Sequence, residues 1–487
     1  MSTTRRRFLG SVAAPLAAPA LLRCARKPPN VLWLMTDEQR PDSMGAYRSP
    51  WAKTPHLDEL ATEGTTFEEA YTPSPVCVPA RTSLLTGQYG STTGVLHNQA
   101  PHIRQDTSFL TWAFEGAGYR TASFGKKHYF RKGRQAFQIE GGRTIGGPLS
   151  ALHYNRPCDP AACEIVQYPG PQPWILAGRF PGRIEETAEH QNVDLAINWL
   201  SSRPAADPFF LRLSLLAPHT PVVVPKEYCG TVDPDAIRIP YATEEELSRV
   251  PLYERRVWRE YQGAFRLSRE QIRRARRYYY DRVAFLDSEI GRLLDWMRKR
   301  DLLDNTIVVF VSDHGTLLGD HGLLQKQTFY RQVATVPFFF WAPGRIRSGA
   351  RVRTPVNTIS LLPALLECAG IEVPGEVECS GLQEVLEDGG EPAPEPVFSE
   401  IKFGYRGYRD DDRLVTIRDG RYRLTVFLDP DAPERFRERP EGSLYDLETD
   451  PGETRNLYGE REYDGVVERL QKRIVEWDQE RKTRSRH

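Results

Sequence analysis

The chain has 487 residues, 40% of them apolar, which is too much for one small core and suits a large α/β domain with a smaller companion. Lysine plus arginine and aspartate plus glutamate each total 65, so the formal net charge is zero. That balance excludes general nucleic-acid binding, which leaves a basic excess, and allows only local basic patches.

The chain opens with Thr4-Arg5-Arg6-Arg7-Phe8-Leu9, a twin-arginine pattern, and an Ala/Pro/Leu-rich apolar run follows from Val12 to Leu22. That run is well short of the about 20 residues a membrane span needs, so no transmembrane segment is expected there. Residues 1–27 read as a Tat-type export signal with cleavage near Ala18-Pro19-Ala20, which puts the mature protein in the periplasm or outside the cell. Lipid anchoring at Cys24 is not expected, because Arg23 occupies the position where a small residue is required.

Asn30 to Thr36 is a continuous apolar run that stops at Asp37-Glu38-Gln39-Arg40, the pattern of a strand buried on both faces. Thr54 to Ala61 predicts a helix, with Thr54 as cap, Pro55 in the first turn, and Leu57, Leu60 and Ala61 on one face. Pro73 and Pro75 keep the next stretch extended. Pro79 suits a first helical turn, so Cys77 is predicted just before a helix N-terminus, where backbone donors favour an anion. Arg81, one turn on, can reach the same place.

The strand grammar recurs. Thr121 to Phe124 runs into Gly125-Lys126-Lys127-His128, and Phe209 to Leu216 into Ala217-Pro218-His219-Thr220-Pro221. Thr306 to Val311 runs into Ser312-Asp313-His314-Gly315. Ligands of open α/β sheets bind outside the carboxyl ends of the strands, so these four polar tips are expected to converge.

Helical spacing marks 194–200 and 283–297, the latter with Phe285, Leu286, Ile290, Leu293, Leu294 and Met297. The arginine-rich segment 249–277 reads as a solvated helix face, with a polyanion-binding surface as the sharper alternative. Residues 387–396 form a linker or long loop, followed by strand-like pieces at 397–401, 413–418 and 421–428 and a final amphipathic helix through Val466, Leu470, Ile474 and Trp477. Apart from Cys24 and Cys77, the cysteines are Cys158, Cys163, Cys229, Cys368 and Cys379. Their number is odd, so at least one stays unpaired unless it bonds another chain. Cys158 and Cys163 can pair, but their spacing is no metal signature. The sequence contains no nucleophile elbow, P-loop or HExxH zinc motif.

Cys77, Pro79, Arg81, Thr86 and Gly87 spell Cys-x-Pro-x-Arg followed by Thr-Gly. In this the sequence resembles the type I, formylglycine-dependent sulfatases of the alkaline-phosphatase-like superfamily. Gly118-Tyr119-x-Thr121-x-x-Phe124-Gly125-Lys126-x-His128 resembles that family's second signature, and Leu444-Tyr445-Asp446-Leu447-x-x-Asp450-Pro451 its C-terminal turn. The resemblance implies a large mixed, mostly parallel sheet flanked by helices for residues 28–390. For 391–487 it implies a small antiparallel α+β subdomain. It further implies a sulfuric ester hydrolase acting on sulfated carbohydrates or small sulfate esters. In that family the cysteine, here Cys77, is oxidised by a formylglycine-generating enzyme to formylglycine (3-oxoalanine), and a hydroxyl of its hydrate is the nucleophile. Because Tat export carries folded proteins, this oxidation and metal loading can both be finished in the cytoplasm.

Residue by residue, Asp37, Glu38, Asp313 and His314 match the family's divalent-cation ligands, with Cys77 beside them. Oxygen-rich ligand sets suit Ca²⁺ first, then Mg²⁺. Glu38 stands where Asp is usual and His314 where Asn is frequent, and a longer acid arm with an imidazole admits Mn²⁺ or Zn²⁺. The cations Arg81, Lys126 and Lys326 are implied to neutralise the sulfate. His128 takes a proton from the second hydroxyl of the diol, His219 contacts the sulfate or leaving oxygen, and Asp313 polarises the attacking hydroxyl. Any one of these residues alone is ordinarily a strand-end cap or a solvent-facing charge; together at strand tips they make a site.

Two other readings stay open. The same fold can hydrolyse phosphomonoesters, phosphodiesters or phosphonate monoesters, and the departures at Glu38 and His314 motivate that alternative. A non-catalytic exported protein could instead hold sulfated glycans through a dead site or the arginine segment.

Overall fold

The four apolar runs lie side by side in one sheet. A computed structural model describes residues 27–99, 103–129, 135–142, 163–169, 174–240, 263–402, 413–428 and 442–484, with the single positions 161, 251 and 253. Residues 1–26 of the export-type segment, Cys158, and Arg255, Arg256 and Arg259 lie outside the described residues.

The strands in chain order begin with β1 (Asn30–Asp37), β2 (Thr65–Tyr71), β3 (Arg120–Gly125), β4 (Ile139–Gly141), β5 (Val166–Tyr168) and β6 (Trp174–Phe180). Next come β7 (Phe209–Pro218), β8 (Val222–Pro225), β9 (Thr306–Ser312), β10 (Thr335–Trp341), β11 (Ala350–Val352) and β12 (Val356–Asn357). The last are β13 (Val397–Lys402), β14 (Arg413–Asp419), β15 (Tyr422–Leu428) and β16 (Gly442–Asp446). The main helices are α1 (Pro55–Glu63), α2 (Cys77–Thr86), α3 (Ala188–Ser202), α4 (Arg269–Arg298), α5 (Leu361–Ala369) and α6 (Asp464–Arg484).

The largest sheet has the order β11-β2-β10-β9-β1-β7-β3-β4, with β12 also paired to β2. From β9 through β1, β7 and β3 to β4 every pairing is parallel, whereas β10 is antiparallel to both neighbours. The mixed, mostly parallel sheet expected for this sequence is therefore present. All of β1 is buried, and its residues alternate between two cores. Val31, Trp33 and Met35 face a cluster with Val78, Leu84 and Leu85 of α2 and Leu362 and Leu365 of α5. Leu32 and Leu34 face Leu57 and Leu60 of α1, Val193 of α3 and Leu286 and Ile290 of α4. Helices cover both faces, which is why the run is continuous rather than alternating. Each such buried Leu- or Phe-sized side chain contributes roughly 1.5–3 kcal/mol.

Strands β13 to β16 form a separate antiparallel sheet, and β5, β6 and β8 a small third one. Alternate residues of the antiparallel sheet pack under Leu470, Ile474 and Trp477 of α6. On the other face, Leu414 and Phe427 meet Val76 and Phe329, so this sheet buttresses the residue just before Cys77. Among the described residues no helix is long and apolar enough to cross a membrane.

Several local expectations shift. Cys77 is the first residue of α2 rather than the residue before it, with Val76 as cap. Thr54 does not cap α1 with its side chain; its hydroxyl donates to Asp58 at 3.0 Å, and Asp287 of α4 accepts from the N–H groups of His56 (3.2 Å) and Leu57 (2.8 Å) instead. Helix α4 starts well before 283, because Ser268 and Gln271 form a capping box. It carries much of the arginine segment, which is not a uniform solvated face: Arg276 is buried and bonded to Asp320. Cys163 is disulfide-bonded, while Cys77, Cys229, Cys368 and Cys379 are free.

Burial pushes Asp287 up to about 7 despite the two N–H groups it accepts from. Between about pH 4 and 7 the folded protein thus binds this proton more tightly than the unfolded chain, so the stability it contributes is present below pH 4 and is lost as pH rises to 7. From pH 5 to 7.5 the wild type is expected to lose roughly 2–3 kcal/mol of unfolding free energy relative to Asp287→Asn. Urea titrations at both pH values check this, and parallel pH dependences would show that Asp287 ionises normally.

Candidate active site

The register levels the strand tips. Thr36 of β1 pairs with Ser312 of β9, Asp37 with Pro218 of β7, and Gly125 of β3 with Ser214 of β7. Asp37, Lys126, His219 and Asp313 therefore leave the same edge of the sheet. Gly125 has φ +97°, and a Cβ there would lie 2.0 Å from the Ser214 carbonyl oxygen. Only glycine permits this approach, which lets the Lys126 N–H donate to that oxygen at 2.7 Å.

Glu38 takes a left-handed φ of 62°, an arrangement costing a non-glycine residue roughly 1–2 kcal/mol. Hydrogen bonds hold it there. Its N–H donates to Asp313 Oδ1 at 3.3 Å, the Gln39 N–H donates to Ser312 Oγ at 2.9 Å, and the Tyr279 hydroxyl donates to the Glu38 carbonyl at 2.7 Å. Across the site, the first turn of α2 presents Cys77, and Asn98 Oδ1 accepts from the Val78 N–H at 3.0 Å.

Arg81 is fully buried and bonded on every side. Its Nε donates to Asp313 Oδ2 at 2.7 Å and Nη2 to Asp37 Oδ2 at 3.0 Å. Nη1 donates to Ser214 Oγ at 2.8 Å and to the Lys126 carbonyl at 3.2 Å, and Nη2 also reaches the Thr36 carbonyl at 3.5 Å. All five guanidinium donors are thus spent within the protein. The structure sets Arg81 between the carboxylates of Asp37, which ends β1, and Asp313, which follows β9.

The Cys77 sulfur lies among cations. Lys326 Nζ is 3.1 Å away, His314 Nε2 3.2 Å and Lys126 Nζ 3.6 Å, and His128 also hydrogen-bonds to it. Burial raises a thiol pKa, but Lys126, Lys326 and His314 outweigh it and hold Cys77 well below its ordinary value. Position 77 is built to carry negative charge. Burial likewise opposes the charge of Asp37, yet Lys126, His219 and Arg81 keep it low. For Asp313, burial and the neighbouring Asp37 prevail and push its pKa up.

His219 and Lys326 complete the ring. Lys326 Nζ is 2.6 Å from Glu38 Oε1 and 3.0 Å from His219 Nε2, and His219 Nδ1 bonds the Thr220 carbonyl. His314 Nδ1 bonds the Gly315 carbonyl at 2.9 Å, which turns Nε2 toward Cys77 and the carboxylates. Two sets of side chains could hold a metal ion, Asp37, Cys77, Asp313 and His314, and Asp37, Glu38 and His219. A cation fits: Glu38 Oε2 is buried with no hydrogen-bond partner, a costly state for a carboxylate oxygen unless something positive faces it.

Every sequence-derived site residue is thus brought to this one cluster. Others went unread. Ser214 accepts from Arg81 but sits inside an apolar strand run, where a serine carries no signal. Arg40 bonds Asp320 Oδ2 at 2.6 Å and Arg276 bonds the same oxygen at 3.1 Å, joining the loop after β1 to the loop before Lys326. The arginine-rich pattern of 249–277 contained Arg276 but not its partner.

Replacing Arg81 strands two buried carboxylates. Arg81→Met is expected to lower unfolding free energy by roughly 3–5 kcal/mol. Arg120→Met, which removes an exposed pair with Asp207, should shift it by less than about 1 kcal/mol. Denaturant titration compares the two, and equal small losses would contradict the central place given to Arg81.

A family model for sulfatases matches residues 29–371, and one described as N-sulphoglucosamine sulphohydrolase, C-terminal, matches residues 319–480. An arylsulfatase of Clostridium perfringens is 28% identical over 475 residues, spanning 92% of this chain and 94% of its own. An N-acetylglucosamine-6-O-sulfatase of Bacteroides thetaiotaomicron is 26% identical over 92% of this chain and 87% of its own. The crystal structure of the phosphonate monoester hydrolase of Agrobacterium radiobacter shares the fold with a TM-score of 0.76 at 22% identity, covering 93% of this chain and 96% of that one. The sheet order and helix layers are those of the alkaline-phosphatase-like fold. With the family pattern spanning most of its length and relatives aligned almost end to end, the chain belongs to the sulfatase family.

Proposed function

We propose that the protein hydrolyses sulfate esters of carbohydrates, using a divalent cation, Ca²⁺ first among candidates, and 3-oxoalanine formed from Cys77 by a formylglycine-generating enzyme. The observation that carries this reading is the buried Cys77 sulfur ringed by Lys126, Lys326 and His314 beside an unpartnered Glu38 oxygen. The similarity to an N-acetylglucosamine-6-O-sulfatase along nearly the whole chain supports a sugar as the alcohol part.

Asp37, Glu38, Asp313 and His314 would hold the cation, with position 77 beside it. When bound, the cation draws negative charge from the sulfate, and the hydrated aldehyde at position 77 supplies the nucleophilic hydroxyl. The chain's own groups do the rest. Lys126 and Lys326 flank position 77 and stabilise charge on the oxygens that gather there, preorganised in a site that water does not reorganise. Lys326 Nζ and His219 Nε2, 3.0 Å apart, stand together to hydrogen-bond the departing alcohol oxygen. His128, hydrogen-bonded to position 77, accepts a proton when the sulfate is released. Arg81 joins the Asp37 and Asp313 carboxylates and adds its positive charge to the field that neutralises the sulfate.

The domain reading follows the same division. Residues 28–390 form the catalytic domain and 391–487 the C-terminal subdomain, and 1–27 direct Tat-type export to the periplasm or beyond. A second reading, hydrolysis of phosphate or phosphonate esters, is favoured by Glu38 and His314 standing where Asp and Asn are commoner.

Peptide mapping of enzyme produced with the maturation machinery is expected to find 3-oxoalanine at position 77, and Cys77→Ala to lose about 10³-fold or more in turnover of sulfated sugars. Unaltered cysteine in fully active protein refutes the reading. Matched sulfate and phosphate esters compared by kcat/KM separate the two substrates, and a preference for phosphate sinks the first.

A further inference from the structure

Glu38 is one of two unusual residues at the cation site, and its side chain has one more rotatable bond than aspartate. Where its carboxylate lies depends strongly on how firmly its backbone is held. Two of the bonds that hold it come from the end of β9 and the residue after it: Asp313 Oδ1 takes the Glu38 N–H and Ser312 Oγ the Gln39 N–H. The third support comes from a different layer. The Tyr279 hydroxyl, on α4, donates to the Glu38 carbonyl at 2.7 Å and accepts from the Arg40 N–H at 2.9 Å, spanning the turn on both sides of Gln39. Tyr279 is fully buried, so no water competes for these groups. One turn earlier on the same helix, Arg276 donates to the Leu318 carbonyl and to Asp320, which Arg40 also grips. Helix α4 thus clamps the loop that carries Glu38 against the loop that leads to Lys326.

We propose that Tyr279 is a positioning residue for Glu38, its phenol locking the left-handed turn from which this carboxylate is aimed at the cation. The inference rests on the cation reading given above. Tyr279 touches neither the ester nor the ion; it acts through the backbone of residues 38–40. Phenylalanine at 279 deletes a single oxygen and keeps the packing among Tyr278 and Tyr280, so the fold is retained.

The test uses full-length, matured enzyme stripped of metal and titrated with Ca²⁺ by calorimetry, with sulfatase kcat measured at saturating Ca²⁺. Tyr279→Phe is expected to weaken Ca²⁺ binding by about 10- to 100-fold, the range for groups that orient metal ligands, while kcat at saturating Ca²⁺ stays within about 3-fold of wild type. Tyr280→Phe, whose hydroxyl meets Arg276 at 3.5 Å rather than the 38–40 turn, should leave the affinity unchanged. In a Glu38→Asp background the shorter arm needs less aiming, so Tyr279→Phe should cost less affinity than in wild type. Unchanged affinity in Tyr279→Phe, an equal loss in Tyr280→Phe, or full additivity with Glu38→Asp would each overturn the proposal. A wild-type protein that binds no divalent cation overturns the cation reading itself, and the positioning role with it.

Discussion

A buried guanidinium between two buried carboxylates is the constraint on which the site depends. Arg81 reaches Asp37 on β1 and Asp313 just past β9 from α2, and every one of its donors is satisfied. Charges removed from water are costly unless their partners are close and complete, so neither carboxylate nor arginine can move alone. Because α2 begins at Cys77, the same pairing sets how far position 77 stands from the strand tips.

Charge balance follows from that arrangement. Lys126, drawn to Asp37, and Lys326, drawn to Glu38, both end within reach of the Cys77 sulfur. The sulfur sits at a helix N-terminus as well, so the backbone adds to the field of the side chains. An anionic group is favoured at this spot before any substrate arrives. That is the preorganisation an ester carrying its own negative charge requires, since water is not available inside the protein to reorient around it.

The outer parts of the chain serve the same edge of the sheet. The antiparallel sheet β13–β16 packs Leu414 and Phe427 against Val76 and Phe329, next to Cys77 and three residues past Lys326. Its Arg423 pairs with Glu453 at 2.6 Å, and Glu453 in turn accepts from the Arg331 N–H. This antiparallel sheet and the chain that follows it are therefore part of what holds the Lys326 loop.

Read by itself, the sequence determined the elements and the inventory of the site. Unbroken apolar runs at 30–36, 209–216 and 306–311 have only one comfortable home, a parallel sheet covered on both faces, and the polar residues after them had to emerge at its edge. Positions just past strand ends or at a helix start also singled out Cys77, Lys126, His219 and Asp313, and the family resemblance added Lys326. Tertiary structure alone decided which charges meet. Arg81 pairs with carboxylates 44 and 232 residues away, Tyr279 bonds a carbonyl 241 residues away, and Asp287 caps a helix in place of Thr54. Local pattern carries no record of such partners, since a buried polar group takes whichever complement the packing of distant elements brings within hydrogen-bond reach.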